Sequence, residues 1–296
     1  MAFIQSKTKY ALLTLTLFCI ALILLRSSYL FKESSSGPLK KIDTYIEVQK
    51  VFDACDKNTL VTFDVDDTLI TAVDVMANLE IPLWFKIRAI ARYPEILTNK
   101  TKLEFLISMI FQQARRFVFD PDIVRLIHQI QQQESMVIAL TSMESGNYGV
   151  IKSMPEWRAS MLKSLGIEPS KALDDVILTV FPLYRGQHPC LYKGILCANQ
   201  VAKGEVLGAF LDHYHLKPLQ IISFDDDASA LNSITNACAQ RKIAFTGYQM
   251  LGGRKLYGQW DTKRALLQLD FLMQHNRWLS DKEADVILAG QTKHAA

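Results

Sequence analysis

The sequence predicts an α/β protein with a doubly wound parallel sheet, a helical cap insert and an N-terminal transmembrane helix. Short apolar runs, rich in β-branched residues, recur along the chain as expected of buried parallel strands. Segments with helical periodicity separate these runs, and strands that alternate with helices usually form one parallel sheet. The third observation is a run of sixteen residues without a charge, 10–25, near the N-terminus.

Residues 10–25 predict a signal anchor within residues 1–32. A helix of that length spans about 24 Å, slightly less than a hydrocarbon core, and the apolar residues after Arg26 can extend it into the interface. No small-x-small cleavage site follows, so we expect the segment to remain uncleaved. Basic residues flank both ends and leave the orientation open, although the similarity to a signal sequence favours a main domain on the extracytoplasmic, periplasmic side.

Residues 33–41 predict a flexible linker, because they contain Glu-Ser-Ser-Ser-Gly-Pro. The remaining domain, 42–296, has ordinary globular composition: the chain is 49% hydrophobic and 21% charged. A net charge of +3 without a basic cluster argues against nucleic acid as a partner. The five cysteines have no zinc spacing and are interpreted as buried or idle thiols, with pairing of Cys190 and Cys197 left open for an exported domain.

The elements of the domain follow from periodicity and from capping residues. Ser153 and Gly166 bound one helix, Ser280 begins the last, and Asp120-Pro121 begins another. Strands are predicted at residues 60–63, 136–140, 219–224 and 242–246, and two more, at 176–181 and 191–197, could form a flap. A helical pattern extends over residues 84–133, with one helix at 102–117 and another from Pro121 onward. Further helices are predicted at residues 42–52, 153–165, 201–215 and from residue 281 onward.

Polar side chains follow three of the predicted strands. Asp64 and Asp66 follow the first, Thr141 and Ser142 the second. The acidic pair Asp225-Asp226 follows the third, and Lys203 lies in the first turn of the helix before it. Ligands of open α/β sheets bind at the carboxyl ends of strands. Two acids one residue apart repel each other unless a cation or a shared proton is present, so Asp64 and Asp66 indicate a metal site with one acid free for chemistry.

These residues resemble the haloacid dehalogenase (HAD) superfamily of phosphohydrolases over residues 60–248. Residues 64–68, Asp-Val-Asp-Asp-Thr, match its DxDxT signature, and Thr141, Lys203 and Asp225-Asp226 match its three later motifs in order. Lys203-Gly204 and the tail pattern at residues 278–284 also resemble an uncharacterised bacterial branch of that superfamily. The resemblance implies a HAD-like Rossmannoid core.

The resemblance also implies a chemistry. Asp64 would attack phosphorus and form an aspartyl-phosphate, while Asp66 would exchange protons with the leaving oxygen and with water. Thr141, Ser142 and Lys203 would bind the phosphoryl group of a small phosphorylated substrate. Mg²⁺ would be held by Asp64, the backbone carbonyl of Asp66, Asp225 and Asp226, although the role of Asp227 stays open.

The sequence therefore predicts a membrane-anchored, Mg²⁺-dependent phosphatase acting on phosphomonoesters. A cap at about residues 70–134 and a second insert at about 143–200 would close over the substrate. A phosphotransferase or mutase is the enzymatic alternative, and a membrane-tethered interaction protein without turnover is another. Trp157 and Arg158 could face the substrate, but amphipathic packing is the favoured interpretation of the lone aromatic residue there. Nothing in the sequence specifies an oligomeric state.

Overall fold

The computed structural model describes residues 39–78, 81–170 and 173–294. Its central sheet has eight strands in the order β1-β10-β9-β2-β5-β8-β7-β6, and the first six in that order are mutually parallel. Strands β3 and β4 form a separate antiparallel pair. The predicted α/β class with a mostly parallel sheet is confirmed.

The strands are β1 (Lys40–Ile42), β2 (Thr59–Phe63), β3 (Ile70–Ala72), β4 (Arg116–Val118), β5 (Met136–Thr141), β6 (Val176–Ile177), β7 (Cys190–Tyr192), β8 (Ile195–Cys197), β9 (Gln220–Asp225) and β10 (Ala244–Met250).

Helices connect the strands and cover the sheet. Two short 3₁₀ helices also occur, at Tyr45–Val48 and Val75–Ala77. The α-helices are α1 (Gln49–Asp53), α2 (Leu83–Arg92), α3 (Glu95–Thr98), α4 (Lys100–Gln113), α5 (Asp122–Gln132), α6 (Met154–Ser164), α7 (Lys203–His213), α8 (Ala228–Arg241), α9 (Gly252–Lys255), α10 (Thr262–His275) and α11 (Asp281–His294).

Alternate residues of the central strands enter two different hydrophobic clusters. In β5, Val137 and Ala139 join the cluster that contains α5 and α6, whereas Ile138 and Leu140 join the cluster that contains α7 and α8. Successive side chains of a strand point to opposite faces, so the two clusters lie on opposite faces of the sheet. Helices therefore bury both faces, which explains why these strands are almost entirely apolar.

Strand β2 lies at the point where the strand order reverses. Its neighbours are β5, which follows it in the chain, and β9, which the chain reaches only after adding β8 on the far side of β5. A crevice forms at the carboxyl ends of the strands at such a switch point. The topology thus brings together the residues that follow β2, β5 and β9.

A third hydrophobic cluster joins the predicted cap to the C-terminal helices. Phe85 from α2 and Leu106 from α4 pack with Leu269 and Leu272 from α10 and with Trp278. The helices of the predicted cap at residues 70–134 do not all join this cluster. The last of them, α5, packs against the central sheet instead. Helix α10, which completes the cluster, was not predicted from the sequence.

Several predicted elements have different bounds in the structure. The helix expected at 42–52 begins only at Tyr45, and the helix expected at 102–117 ends at Gln113, before β4. The single strand expected at 191–197 is the hairpin β7–β8, which reverses at Lys193 and Gly194 with φ of 48° and 79°. Left-handed backbone at both positions is typical of a two-residue hairpin turn. Together with the short β6, this hairpin extends the central sheet, so the expected flap is wrong.

The predicted signal anchor at residues 1–32, and most of the predicted linker, lie outside the described residues. Within the described part of the chain, every helix is too short or too polar to cross a bilayer. The predicted strands and the predicted caps of the long helices lie within the described residues. Ser153 and Ser280 begin α6 and α11 as expected, and Ser153 accepts a hydrogen bond from the Glu156 amide.

Candidate active site

The carboxyl ends of three neighbouring strands carry the residues predicted from the sequence. Asp64 directly follows β2, Thr141 is the last residue of β5, and Asp225 is the last residue of β9. Lys203 is the first residue of α7. All four side chains are buried. The sequence therefore predicted correctly that these residues share one edge of the sheet.

Lys203 joins two of these carboxylates. Its Nζ atom lies 2.6 Å from Oδ1 of Asp64 and 2.6 Å from Oδ2 of Asp225. Burial alone would lower the pKa of Lys203, but the attraction of Asp225 and Asp64 outweighs it and raises the pKa. The lysine is therefore charged and neutralises part of the negative charge of the site.

Gly204 sets the position of this lysine. A Cβ atom at Gly204 would lie 2.0 Å from the backbone oxygen of Ser233 in α8, so only glycine permits the close approach of α7 and α8. The Gly204 amide also donates to Oγ of Ser233 over 3.0 Å. This contact holds the first turn of α7, and with it Lys203, against the end of the sheet.

Three carboxylates form a compact cluster of oxygen ligands. Oxygen atoms of Asp64, Asp225 and Asp226 all lie within 4.8 Å of one another. Burial raises the pKa of Asp64 to about 6, that of Asp225 to about 7 and that of Asp226 to about 6, in each case with further increases from neighbouring acids. A hard divalent cation favours such an all-oxygen set and would relieve the repulsion within it. The cluster fits Mg²⁺ on these grounds.

Asp226 and Asp227 have distinct partners. Arg254 of α9 donates to Oδ2 of Asp226 over 2.9 Å from Nε and 2.5 Å from Nη2. Asp227 caps α8 and accepts from the Ser229 amide over 2.8 Å. Its carboxylate is therefore occupied as a helix cap, and Asp225 and Asp226 are the better candidates for ligands among the three consecutive acids.

The turn after β2 is tied to the end of β9. Asp67 adopts a left-handed conformation with φ of 60°, and its carboxylate accepts from the Tyr257 hydroxyl and, over 3.0 Å, from the Thr71 hydroxyl. Oγ1 of Thr68 accepts from the Asp226 amide over 3.0 Å. The two acidic segments of the site are thus held in register by Thr68.

Asp66 has a partner that the sequence analysis did not assign to it. Its two carboxylate oxygens accept from Nη1 and Nη2 of Arg158, over 3.0 Å and 2.7 Å. Arg158 is only 3% exposed, whereas the Asp66 side chain is 34% exposed. The packing interpretation is confirmed for Trp157, which stacks on Phe111 with ring centroids 5.6 Å apart. For Arg158 substrate contact was left open, and its guanidinium pairs with the Asp66 carboxylate in the wall of the cavity.

A cavity of about 410 Å³ opens between these groups. Oγ1 of Thr141 accepts from the Met143 amide over 3.2 Å, and Ser142 also lines the cavity. The wall further includes Arg158 and other side chains that were not expected there from the sequence. These others are Phe111, Glu144, Tyr148 and Arg254.

Arg254 and Tyr257 are the site residues that sequence reasoning missed. Arg158, which lies inside α6, was named only as a residue that could face the substrate. Arg254 and Tyr257 lie near α9, between the last strand and α10, in a segment without clear periodicity. Among the described cysteines, Cys55, Cys190, Cys197 and Cys238 are free thiols, and Cys190 lies opposite Cys197 in the β7–β8 hairpin.

Comparison with known proteins places the chain in a family. The family model described as "Protein of unknown function (DUF2608)" matches residues 37–285. The chain belongs to this family. A curated relative, "Uncharacterized protein RP296" from Rickettsia prowazekii (strain Madrid E), is 21% identical over 251 residues, which cover 85% of this chain and 90% of that protein. No solved structure matches the chain. The family range includes every site residue described above, so the site lies within the region that defines the family.

Proposed function

We propose that the protein is a Mg²⁺-dependent phosphatase of the HAD superfamily that hydrolyses phosphomonoesters through an aspartyl-phosphate. The observation that carries the proposal is the separation of the two neighbouring acids. Asp64 lies with Lys203 and Asp225 in the buried cluster, while Asp66 lies outside it and remains partly exposed. A nucleophile needs a fixed position beside a cation, as Asp64 has in the buried cluster. A proton carrier needs access to the substrate, as the partly exposed Asp66 has.

The bond-making and proton-transfer steps of the proposed reaction are assigned to Asp64 and Asp66. The Asp64 carboxylate attacks phosphorus, a bond from Asp64 to phosphorus forms, and the bond from phosphorus to the leaving oxygen breaks. Asp66 gives a proton to that oxygen and later takes one from the water that attacks the aspartyl-phosphate. Inorganic phosphate is then released and Asp64 is regenerated. Lys203, Thr141 and Ser142 hold the phosphoryl oxygens through the ammonium and hydroxyl groups that line the cavity.

Asp64, Asp225 and Asp226 would hold the magnesium ion, with the backbone carbonyl of Asp66 as a further ligand. A bound Mg²⁺ would supply positive charge against the phosphoryl oxygens. The residues present fit this group, because three buried carboxylates and one lysine leave the cluster with excess negative charge.

Hydrolysis of p-nitrophenyl phosphate tests the proposal. We expect the wild-type chain to release inorganic phosphate with Mg²⁺ and to lose this activity with EDTA. Asp64→Asn should reduce turnover by at least about 1000-fold, since the amide is a poor nucleophile of nearly the same shape. Asp285→Asn is a matched control, because it makes the same chemical change on an exposed side chain outside the cavity.

The alternatives give different outcomes in the same assay. A phosphotransferase or mutase would transfer the phosphoryl group to an added alcohol acceptor in preference to water. An interaction protein without turnover would leave a broad panel of phosphoesters unchanged at every Mg²⁺ concentration. The absence of Mg²⁺-dependent phosphate release from that panel would contradict the phosphatase proposal.

The proposed location is the membrane, with the catalytic domain on the extracytoplasmic side. This proposal depends on the uncharged residues 10–25 and on their similarity to a signal sequence. An alkaline phosphatase reporter fused to the C-terminus, made with Asp64→Asn to remove the chain's own proposed activity, should be active in intact cells. An inactive alkaline phosphatase fusion would contradict this location. If a second fusion at the same position, with a reporter that works only in the cytoplasm, is active, the domain lies in the cytoplasm.

A further inference from the structure

Arg158 is a buried cation that uses only part of its hydrogen-bonding capacity. A guanidinium has five N–H donors. In this structure, one donor of Nη1 and one of Nη2 bind the two oxygens of Asp66, and Nε has no hydrogen-bond partner among the described residues. A buried, unpaired donor is costly unless a ligand satisfies it.

The position of Arg158 is fixed by its surroundings. It projects from α6, whose first turn is capped by Ser153, and its guanidinium lies 4.9 Å from the ring centroid of Trp157. The Trp157 ring is held in turn by stacking on Phe111. Arg158 is therefore a preorganised group in the wall of the same cavity that contains Asp64, Thr141 and Lys203.

The pairing of Asp66 with Arg158 occupies the two guanidinium nitrogens that face the acid. Both carboxylate oxygens accept from the guanidinium, so a phosphoryl group that takes the same two donors displaces Asp66 from them. A phosphoryl group offers the paired oxygen acceptors that fit the same planar fork. Its binding could satisfy Arg158 and release an oxygen of Asp66 in one step.

We propose that Arg158 binds the phosphoryl group of the substrate and exchanges Asp66 for it. The inference rests on the proposed phosphatase function and adds a binding residue to it. Arg158 then has two states, paired with Asp66 in the empty site and with phosphate in the filled one. Asp66 is released from Arg158 only when a phosphorylated ligand is in the cavity.

Binding of inorganic phosphate to the full chain in detergent with Mg²⁺, measured by calorimetry, tests this exchange without relying on turnover. We expect Arg158→Gln to weaken phosphate binding by roughly 10- to 100-fold, the usual effect of losing a charged hydrogen-bond pair. Arg158→Lys should lie between this variant and wild type, because lysine keeps the charge but not the fork. Arg125→Gln, on an exposed arginine of α5, is the control and should not change the affinity.

Asp66→Asn provides a second test that does not remove the buried arginine. With the competing carboxylate gone, phosphate should bind several-fold more tightly, and Arg158→Gln in the same chain should abolish this gain. A purely structural arginine predicts unchanged phosphate affinity in folded Arg158→Gln and Arg158→Lys, and an equal gain from Asp66→Asn in both backgrounds. Either result would overturn the proposal, and if Arg158→Gln does not fold, the comparison of Asp66→Asn with Asp66→Asn/Arg158→Lys decides.

The kinetic readout separates this inference from the proposed function. If wild type hydrolyses phosphomonoesters, Arg158→Lys should raise KM more than it lowers kcat, since the arginine contributes to binding. Turnover with an unchanged phosphate affinity in the variants contradicts the role of Arg158 alone. Phosphate binding that depends on Arg158, without turnover by wild type, supports the anion site and contradicts the phosphatase.

Discussion

Lys203 is the single residue on which the geometry of the site depends most directly. Its ammonium separates the carboxylates of Asp64 and Asp225, and all three side chains are at least nine-tenths buried. Replacement by methionine keeps the volume but leaves two acids facing each other without a cation. Removal of one partner from a buried ion pair typically costs about 3–5 kcal/mol of unfolding free energy. We expect Lys203→Met to show a loss of this size in urea unfolding without metal.

Lys217→Met is the control for that measurement, because Lys217 is exposed in the segment between α7 and β9. Its unfolding free energy should stay within about 0.5 kcal/mol of wild type. An equally stable Lys203→Met protein would mean that the two carboxylates share a proton without the lysine, and it would contradict the role assigned to Lys203.

Sequence patterns assigned roles to Lys203 and to the site residues that follow strands, but not to Arg158 or Arg254. Asp64, Thr141 and Asp225 are recognisable because an apolar run of strand length precedes each of them, and strand ends meet at one edge of a parallel sheet. Arg158 and Arg254 have no such marker. Each lies in or near a helix, and the face that a helical side chain presents depends on how the helix packs, which the sequence alone does not specify.

At the level of elements, Trp278 lies in the third hydrophobic cluster, which joins α2 and α4 to α10. Its indole Nε1 donates to Oδ2 of the buried Asp74 over 2.8 Å, and its ring packs with α2, α4 and α10. We expect Trp278→Ala to lower the unfolding free energy by about 3–5 kcal/mol, as for large aromatic side chains in cores. Trp278→Phe should cost about 1–3 kcal/mol, because it leaves an oxygen of Asp74 unpaired but keeps most of the ring. Urea unfolding of both variants gives the comparison.

Trp84→Ala is the matched control, since Trp84 is 49% exposed on α2. Its effect should be about 1 kcal/mol or less. If Trp84→Ala and Trp278→Ala lower the stability equally, the C-terminal helices are not a structural part of the cluster. The tail pattern that begins at Trp278 would then need another explanation.

Capping signals predicted elements better than hydrophobic runs did. Ser280 forms the expected cap of α11, in which Oε2 of Glu283 also accepts from the Ser280 amide over 2.8 Å. The apolar run at residues 191–197 concealed a turn, because Lys193 reverses the chain in a conformation that is uncommon for lysine. Gly194 was the available signal for that turn.

For the whole molecule, the class of the sheet was predictable, but the full set of residues around the cavity was not. Alternation of strands and helices is a local property of the sequence, and it implies a parallel sheet whichever way the chain winds. The residues around the cavity come from six separated segments, including α9 at the C-terminal side of the last strand. The contact between Arg254 and Asp226 links the last of these segments to the acidic cluster, and such long-range contacts follow only from the complete fold.

The acidic cluster makes a prediction that applies to the stability of the whole domain. A ligand that binds only the folded state stabilises it by about 2.7 kcal/mol at a concentration 100 times its Kd. For a domain of this size that corresponds to a rise of roughly 5–10 °C in Tm. We expect saturating Mg²⁺ to raise the Tm of the wild-type chain by this amount in a thermal shift measurement, and EDTA to reverse the rise.

Variants of the three consecutive acids show which of them hold the ion. Asp225→Asn and Asp226→Asn should each lose most of the Mg²⁺-induced rise in Tm, because their oxygens belong to the cluster within 4.8 Å of Asp64. Asp227→Asn should keep it, since Asp227 is occupied as the cap of α8 and asparagine caps a helix about as well as aspartate. All three variants remove one negative charge, so a general screening effect of Mg²⁺ predicts the same reduced rise in each. A loss of the rise in Asp227→Asn with its retention in Asp225→Asn would assign the ion to Asp227 and contradict the cluster proposed for it.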